Sequence, residues 1–393
     1  MNEFIKILPG KLLAPDGSQT NLLDALGIDV EPMTVRNDGY KRPEIASVLI
    51  GENQYALADI LKKVHVASEG EEYSPEQIQK IVASGKAREN FDIGDIIYIP
   101  YTDYSGSTPV LYRYPFVVTH IGDCYDDQNA LHKDALWLMA MVATPVEMIF
   151  DAAEITAATA GETFEEGAYY YTKSGDDYVA ATVTPGATIP ESPTYYVNDK
   201  SGAGGAIRYG YNRWSQSAYR QWLNSDKPKN ANWWTSQHDY DVAPSSTYTN
   251  KPGFLYGFDD SWKAIIKPVK VQTATNTVTD GGVTDTTYDK FFLPSLEQMY
   301  GSPQAEGVEG DYWEYWKDAT GLSAPSNGSA DSPNDARKIP AIQDPGGAAV
   351  FCRLRSASRG SSTSVWTVNT AGYLNNAHGA SSSYRSQPAC VIY

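Results

Sequence analysis

Cysteine is scarce in this sequence, and long apolar runs are absent. Three cysteines, Cys124, Cys352 and Cys390, allow at most one disulfide bond in 393 residues, which excludes a small disulfide-rich scaffold. No stretch approaches the roughly 18 consecutive apolar residues of a membrane span, and the start, MNEFIKILPGKLL, lacks the apolar core and cleavage site of a signal peptide. We therefore expect no membrane insertion, and either a cytoplasmic chain or one exported without a standard signal.

Positive charge is also in deficit. The chain has 31 Lys and Arg against 48 Asp and Glu, a formal net charge of −17, and such a protein repels the phosphates of nucleic acids and of anionic membranes. We therefore expect no nucleic-acid partner. Aromatic residues, by contrast, are abundant, with 28 Tyr and 9 Trp beside 32 Gly and 23 Pro. This composition is typical of a loop-rich extracellular binding protein.

The length predicts more than one domain. Single cores stop growing at roughly 250–300 residues, so this chain of 393 residues is expected to form two or three domains. Residues 1–90 contain two helical patterns, one over 18–27 and one in which Ser74 is the N-cap, Pro75 the first helical residue and Gln77 the capping-box partner. We predict a small N-terminal α+β domain here, with a role in attachment or oligomerisation.

From Phe91 onward the sequence is typical of β-strands. Runs such as DIIYIPYTDY, YRYPFVVTHIGD and ALWLMAMVATPVEMIF are rich in β-branched and aromatic residues and are separated by Pro, Gly and Asp. Two alternating segments flanking 174–177 predict a β-hairpin, inside an insertion at 151–200. Residues 91–393 are therefore predicted to form the main domain, in an α+β fold.

One helix and three further strands are predicted towards the C-terminus. Trp214, Ala218 and Trp222 recur at i, i+4 and i+8, which predicts one amphipathic helix over 212–224. The last strands are predicted in AAVFCRLRSAS, SVWTVNTAGYL and QPACVIY.

The stretch 360–384 contains no Lys, Arg, Asp or Glu, although the chain is 20% charged. A disordered tail would continue polar to the terminus and would be charged or Pro-rich. Here two apolar strand segments bracket the stretch, and VWTVNTAGYL inside it alternates as a strand does, with Val365 and Thr367 on one face and Trp366 and Val368 on the other. We therefore predict ordered strands and loops that present a neutral surface.

Several segments together resemble one known family. YGYNRWSQSAYRQWLNS, YDKFFLPSLEQMYG, LRSAS, VNTAGYL and RSQPACVIY resemble the variable proteins of diversity-generating retroelements, which occur in phages and bacteria. The resemblance implies a C-type-lectin-like domain of the formylglycine-generating-enzyme subtype over 91–393, with a variable region at 350–393. In that family a reverse transcriptase miscopies adenines, so that Asn codons of the AAY type are converted into many others, and the products bind ligands.

This mechanism makes a demand on the sequence. Changes in the first two bases of AAY never give Lys, Glu, Gln, Met or Trp, and of these five types only Trp366 occurs in 360–384. The resemblance implies that the diversified, ligand-binding residues are Ser361, Ser362, Thr363, Ser364, Thr367, Ala371, Tyr373, Asn375, Asn376, Ala377, His378, Ala380, Ser381, Ser383 and Tyr384, with Gly360 and Gly379 also open to change. The fixed scaffold would include Trp366, Arg355, Arg359 and Arg385.

These residues also have plain structural interpretations. Tyr with Ser, Gly and Asn is a paratope composition, but Tyr373 and Tyr384 equally suit half-buried positions in a sheet. Trp366 is predicted to lie in the core, because diversification cannot produce it. The arginines are expected to bind backbone carbonyls beneath the site. His378 has no second His, Cys or carboxylate near it in the sequence, so we predict no metal there.

Other motifs are weaker. Trp233, Trp234 and His238 in NWWTSQHDYD suit a metal or sugar site, or the packing of an edge loop. Trp313 and Trp316 in DYWEYWKD suit carbohydrate stacking, or burial on one side of a helix. The carboxylates of DGGVTD and GDCYDD have spacings that suit Ca²⁺, without the full EF-hand loop. We predict no cofactor, with a structural Ca²⁺ as the alternative.

The functional prediction follows from the surface and the resemblance. We expect a hypervariable binding protein at a phage tail tip, or at a bacterial cell surface, that recognises a host surface protein or glycan. The resemblance implies a homo-oligomer, a trimer in the phage relatives. The alternatives are an invariant carbohydrate-binding lectin and a carbohydrate-active tail enzyme. No P-loop, HExxH, nucleophile elbow or CxxC motif occurs, so we predict that the protein is not an enzyme.

Overall fold

The computed structural model describes residues 73–152, 156–174, 177–198, 212–237, 241–301, 308–319 and 339–393, together with four short strands before them. The chain divides into two compact units, Met1–Tyr73 and Ser74–Tyr393. In the first unit β1 (Leu12–Leu13) pairs with β2 (Gln19–Thr20), and β3 (Ser47–Ile50) pairs with β4 (Asn53–Ala56), both antiparallel. Within the helix predicted over 18–27, Gln19 and Thr20 form strand β2 instead, and the other residues lie outside the described part of the chain. The second unit begins at Ser74, whereas the sequence predicted a domain boundary at residue 90.

The second unit opens with the predicted helix. Helix α1 (Pro75–Ala83) has Ser74 as its N-cap, and a capping box joins Ser74 and Gln77. A side-chain oxygen at the cap satisfies an amide that the first helical turn leaves unpaired. A second short helix, α2 (Ala87–Asn90), follows. The predicted start of α1 is thus confirmed.

The first large sheet has five antiparallel strands in the order β15-β20-β7-β6-β5. Its strands are β5 (Ile96–Asp103), β6 (Val110–Tyr125), β7 (Leu131–Ala140), β15 (Phe291–Phe292) and β20 (Ala389–Ile392). The last strand of the chain lies between β15 and β7, with Val391 opposite Trp137. The predicted runs that form β5, β6 and β7 therefore lie in one sheet, and the C-terminal strand β20 is inside it.

The second large sheet also has five strands, in the order β18-β17-β16-β19-β8. They are β8 (Met148–Ile149), β16 (Cys352–Ala357), β17 (Ser364–Val368), β18 (Leu374–Gly379) and β19 (Ser383–Ser386). Only β16 and β19 run parallel. Four strands of this sheet thus come from the C-terminal stretch, where the sequence analysis predicted only β16 and β17.

The predicted insertion is a small sheet with a core of its own. It contains β9 (Thr156–Ala157), β10 (Tyr169–Ser174), β11 (Asp177–Ala181) and β12 (Tyr196–Asn198) in the order β11-β10-β12-β9. Ser174 pairs with Asp177, which confirms the predicted hairpin. Phe164, Tyr170, Ile189 and Val197 are buried together beneath it.

The predicted single helix over 212–224 is wrong. Its apolar residues are buried as expected, but Ser217 has an extended backbone (φ −66°, ψ 143°) and divides the segment. A 3-10 turn (Trp214–Gln216) precedes Ser217, and helix α3 (Ala218–Leu223) follows, with the Ser217 side chain as its N-cap. A serine that caps a new helix competes with helix continuation, and the period of the apolar residues does not reveal that break.

Short helices and one further hairpin complete the unit. These are α4 (Ser246–Thr249), a 3-10 turn (Phe254–Gly257), α5 (Asp260–Ile265), β13 (Val269–Ala274) paired with β14 (Thr284–Asp289), α6 (Leu296–Tyr300) and a π-helical turn (Tyr315–Ala319). The fold is a β-rich α+β arrangement of mixed sheets. Among the described residues, no helix has the length and apolar character to cross a membrane.

Candidate functional site

The charge-free stretch is organised around β17. Residues 358–363 form a loop before this strand and residues 369–373 a turn after it, and β18 returns antiparallel with Ser364 opposite Gly379. Five residues of strand span about 17 Å. The loop and the turn therefore lie at opposite ends of β17.

Two buried asparagines hold the loop. Asn212 donates from Nδ2 to the carbonyl oxygens of Ser361, at 2.6 Å, and Ser364, at 2.8 Å. The Asn276 side chain donates in turn to Asn212 Oδ1 at 2.8 Å. Because both asparagines are fully buried, these bonds are shielded from water and fix the backbone of the loop.

Two of the four predicted scaffold residues are buried, Trp366 in β17 and Arg355 in β16. The other two, Arg359 and Arg385, are half-buried. All three predicted arginines donate to backbone carbonyl oxygens: Arg355 to Leu293, Arg359 to Gly282 and Arg385 to Thr144. A guanidinium carries five N–H donors, so one arginine can satisfy several buried carbonyls.

Four of the predicted ligand-binding residues are buried: Ser361, Ser362, Thr367 and Ala380. Thr367 is the fourth of the five residues of β17 and donates from Oγ1 to the Asn375 carbonyl at 3.2 Å. The Ala380 amide donates to the Thr363 carbonyl at 2.7 Å, and the Ala380 carbonyl accepts from the Phe150 amide at 2.8 Å. Buried side chains have no access to a ligand in solution. The prediction that these four residues bind a ligand is therefore wrong, and they belong to the buried scaffold instead.

The other described candidates reach solvent in part or fully: Thr363, Ser364, Ala371, Tyr373, Asn375, His378, Ser381, Ser383 and Tyr384. The side chains of Asn376 and Ala377 lie outside the described part of the chain. Gly360 is exposed and Gly379 is half-buried. Ala371 and Tyr373 lie in the turn after β17, whereas His378 lies opposite Val365 near the start of that strand. The structure therefore divides the predicted surface in two.

Three aromatic rings pack together on the part of this surface that contains His378. The ring centroids of His378 and Tyr384 are 4.9 Å apart, those of Phe351 and His378 5.1 Å, and those of Phe351 and Tyr384 5.6 Å. The Tyr384 hydroxyl also lies 2.6 Å from His378 Nδ1. All three side chains are half-buried. We call Phe351, His378 and Tyr384 the aromatic patch.

A buried arginine supports the aromatic patch. The Arg353 guanidinium lies 4.8 Å from the centre of the Tyr384 ring, and its Nη2 donates to the carbonyls of Gly379, at 3.0 Å, and Ser382, at 2.8 Å. Arg353 thereby fixes both ends of the segment that links β18 to β19. Burial, and secondly the Arg353 charge, lower the pKa of His378.

The sequence analysis missed Phe351 and Arg353. A signal for both was present, because residues two apart in a strand lie on the same face, and Phe351, Arg353 and Arg355 are spaced in this way. Arg355 was predicted to belong to the scaffold, and ligand contacts were predicted only after Arg359. The candidate surface therefore includes residues from outside the neutral stretch.

The other motifs have mainly structural roles. Trp313 and Trp316 are each 1% exposed, so they cannot stack on a sugar in solution. Trp233 is buried, and His238 lies outside the described residues. Asp285 of the DGGVTD motif accepts two hydrogen bonds from Arg213, at 2.6 and 2.7 Å. Within the described ranges, no group of three or more His, Cys, Asp or Glu side chains is arranged to hold a metal ion.

Cys124, Cys352 and Cys390 are all free and buried. Burial raises the pKa of Cys124 to about 12 and raises those of Cys352 and Cys390 further. Since a thiolate is the reactive form, none of the three is suited to act as a nucleophile.

We expect no cysteine to react with Ellman's reagent in the folded protein at mildly alkaline pH, because the thiols are both inaccessible and protonated. All three are expected to react once the chain is unfolded in concentrated guanidinium chloride, which provides the internal control. The release of thionitrobenzoate measures both. A thiol that reacts rapidly in the folded protein would contradict the assignment of all three as structural.

The fold and the site define a β-rich α+β protein whose C-terminal strands carry a neutral, half-exposed surface on a buried frame. The chain belongs to the family described as Domain of unknown function (DUF6273), whose model matches residues 194–393, just over half of the sequence. No curated protein and no solved structure matches the chain. The family match includes all of β16 to β20 and the asparagines beneath the loop.

Proposed function

We propose that this protein is a ligand-binding protein whose C-terminal surface is diversified, as in the variable proteins of diversity-generating retroelements. The supporting observation is the division of residues 359–384 into two sets. Thr367 and Ala380 belong to a buried, hydrogen-bonded frame, whereas Asn375, Ser381 and Ser383 reach solvent without charge. Side chains of the second set can change while the frame keeps the fold.

The proposal extends to architecture and location. It assigns residues 91–393 to a C-type-lectin-like domain and the whole chain to a phage tail tip, with a bacterial cell surface as the alternative location. The binding partner would be a surface molecule of a host bacterium, and the assembly a homo-oligomer, such as a trimer. The proposal includes no catalytic step.

Binding of the labelled full chain to a panel of intact gut bacteria, measured by flow cytometry, tests this function. We expect at least one strain to bind. Replacing Thr363, Asn375, Ser381 and Ser383 together by alanine should weaken that binding by about tenfold or more, because hydrogen bonds made by the exposed set are lost. The melting temperature should change little, because none of these side chains is in the core.

The matched control replaces four Ser and Thr residues that are exposed elsewhere: Ser107, Thr108, Thr284 and Thr286. This variant should bind as the unmodified chain does. Equal binding by both variants, or binding to no strain, would contradict the proposal.

The genetic part of the proposal predicts an Asn-rich near-copy of the coding segment for 350–393 beside a reverse transcriptase gene, and sequencing the surrounding genome tests it.

A further inference from the structure

The aromatic patch combines two properties that a ligand would meet together. Its rings touch edge to face, with interplanar angles of 71° between Phe351 and His378 and 70° between His378 and Tyr384. Because their planes are inclined, the three rings do not form one flat surface. Aromatic rings provide contact area at low cost in conformational entropy.

The charge beneath the patch limits the ligands that fit it. Arg353 is fully buried while Tyr384 is half-exposed, so the guanidinium lies on the inner side of the Tyr384 ring. Aromatic cages that bind cationic ligands use the negative ring faces, and here a fixed cation already occupies one of those faces. A positively charged ligand is therefore disfavoured.

Hydroxyl groups border the patch. Ser381 and Ser382 are exposed in the segment before Tyr384, and Ser383 Oγ lies 3.4 Å from a carboxylate oxygen of Glu147. A serine hydroxyl both donates and accepts hydrogen bonds. Apolar ring faces beside neutral hydroxyls match a pyranose, which has one face of C–H groups and a rim of hydroxyls. An apolar peptide side chain would contact the rings alone, whereas a pyranose would also exchange hydrogen bonds with the serine hydroxyls.

We propose that Phe351, His378 and Tyr384 form a stacking subsite for a neutral pyranose ring of a cell-surface glycan. The inference rests on the proposed binding function and specifies its ligand class. It assigns ligand contact to Phe351, which precedes the neutral stretch. Arg353 is a positioning residue, since it holds the Tyr384 ring and the adjacent serines in place.

Saturation-transfer NMR on the full chain tests the subsite with four neutral disaccharides: lactose, cellobiose, maltose and N,N′-diacetylchitobiose. We expect at least one to receive saturation. Its dissociation constant should rise about tenfold in Tyr384→Ala, because a ring face is lost. Tyr384→Phe keeps the ring and should bind nearly as the unmodified chain does. If Tyr384→Ala lowers the melting temperature, His378→Ala, which removes another ring of the patch, takes its place.

Tyr98→Ala is the matched control. Tyr98 is 37% exposed in β5, outside the neutral stretch, and like Tyr384 it has a guanidinium over its ring, that of Arg113 at 4.5 Å. Its removal should leave disaccharide binding unchanged. Absence of saturation transfer to all four disaccharides, or equal losses in Tyr384→Ala and Tyr98→Ala, would overturn the inference.

Treatment of the bacteria separates this inference from the proposed function. Mild periodate oxidation destroys vicinal diols of glycans, and protease removes surface proteins. Binding of the chain that is lost after periodate and kept after protease supports the glycan. Binding that is lost after protease and kept after periodate overturns the glycan and leaves the binding function standing. Absence of binding to untreated cells overturns both.

Discussion

Replacing Arg355 by methionine is expected to lower the free energy of unfolding by about 3–5 kcal/mol, the cost of removing one partner from a buried charge pair. Arg355 is 1% exposed. Its Nη1 donates to the Leu293 carbonyl at 2.7 Å and to Gln298 Oε1 at 2.6 Å, and its Nη2 donates to the carbonyls of Glu309 and Gln272. Methionine has a similar length but no donor, so each of these acceptors would lose one hydrogen bond in the core.

The effect is expected to depend on pH because of Glu309. Burial raises the pKa of this carboxyl, and Arg355 is the largest of the opposing influences. A raised pKa means that the folded state binds the proton more tightly than the unfolded state. The contribution of Glu309 to the free energy of unfolding is therefore complete below the pKa that this carboxyl has in the unfolded state. It is lost as the pH rises towards the pKa of the folded state. Without Arg355 the pKa of Glu309 rises further, so the variant should lose more stability at about pH 8 than at about pH 5.

Urea denaturation of the full chain at both pH values measures the difference. Arg113→Met is the matched control, since Arg113 is exposed and its guanidinium lies over the Tyr98 ring at 4.5 Å, an interaction of about 1 kcal/mol or less. The double variant Arg355→Met/Glu309→Gln should be more stable than Arg355→Met at about pH 8, because it removes the unpaired charge. Equal stability of Arg355→Met and Arg113→Met would show that the buried hydrogen bonds contribute nothing.

The elements that sequence reasoning predicted correctly carry a strong local signal. Ser74, Pro75 and Gln77 fix the start of α1 through the hydrogen bonds of a capping box, and these depend only on residues three apart. The apolar runs that form β5, β6 and β7 need burial whatever their partners are. Local chemistry and burial therefore identified most elements of the first sheet.

Strands β18 and β19 have no such signal. Their sequences, LNNAHG and SYRS, contain few apolar residues and few strong strand formers. They are strands because β17 and β16 provide hydrogen-bonding partners, with irregular register between Val365 and Thr367. Pairing between distant segments decided this structure, and residue type alone does not contain that information.

The same limit explains the errors in the candidate site. The small hydroxyl side chains of the stretch were predicted to be exposed, yet Ser361, Ser362 and Thr367 are buried, because neutral hydroxyls bury at low cost once they are hydrogen-bonded. In β17 every residue from Val365 to Val368 is buried, so both faces of the strand are covered. Alternation along the sequence separates the two faces of a strand, but it does not show that one of them meets solvent.

Replacing Thr367 by tyrosine is expected to destabilise the protein by about 3 kcal/mol or more, which is the upper range for overpacking a core plus one lost hydrogen bond. Thr367 is fully buried between Arg353 on β16 and Asn375 on β18. Tyrosine is a residue that adenine miscopying of an Asn codon produces. The position was predicted to be diversified, so the variant tests directly whether the fold permits that change.

Ser381→Tyr is the matched control, because it adds the same ring at an exposed position of the same stretch and should change the free energy of unfolding by about 0.5 kcal/mol or less. Urea denaturation measures the free energy of unfolding of both variants, with one slope of free energy against urea concentration used for both. A stable Thr367→Tyr variant would mean that β17 moves aside readily, and Thr367 would then return to the ligand-binding set. The expected contrast would instead confine diversification to side chains that reach solvent, because only there does a new ring meet water rather than the packed frame.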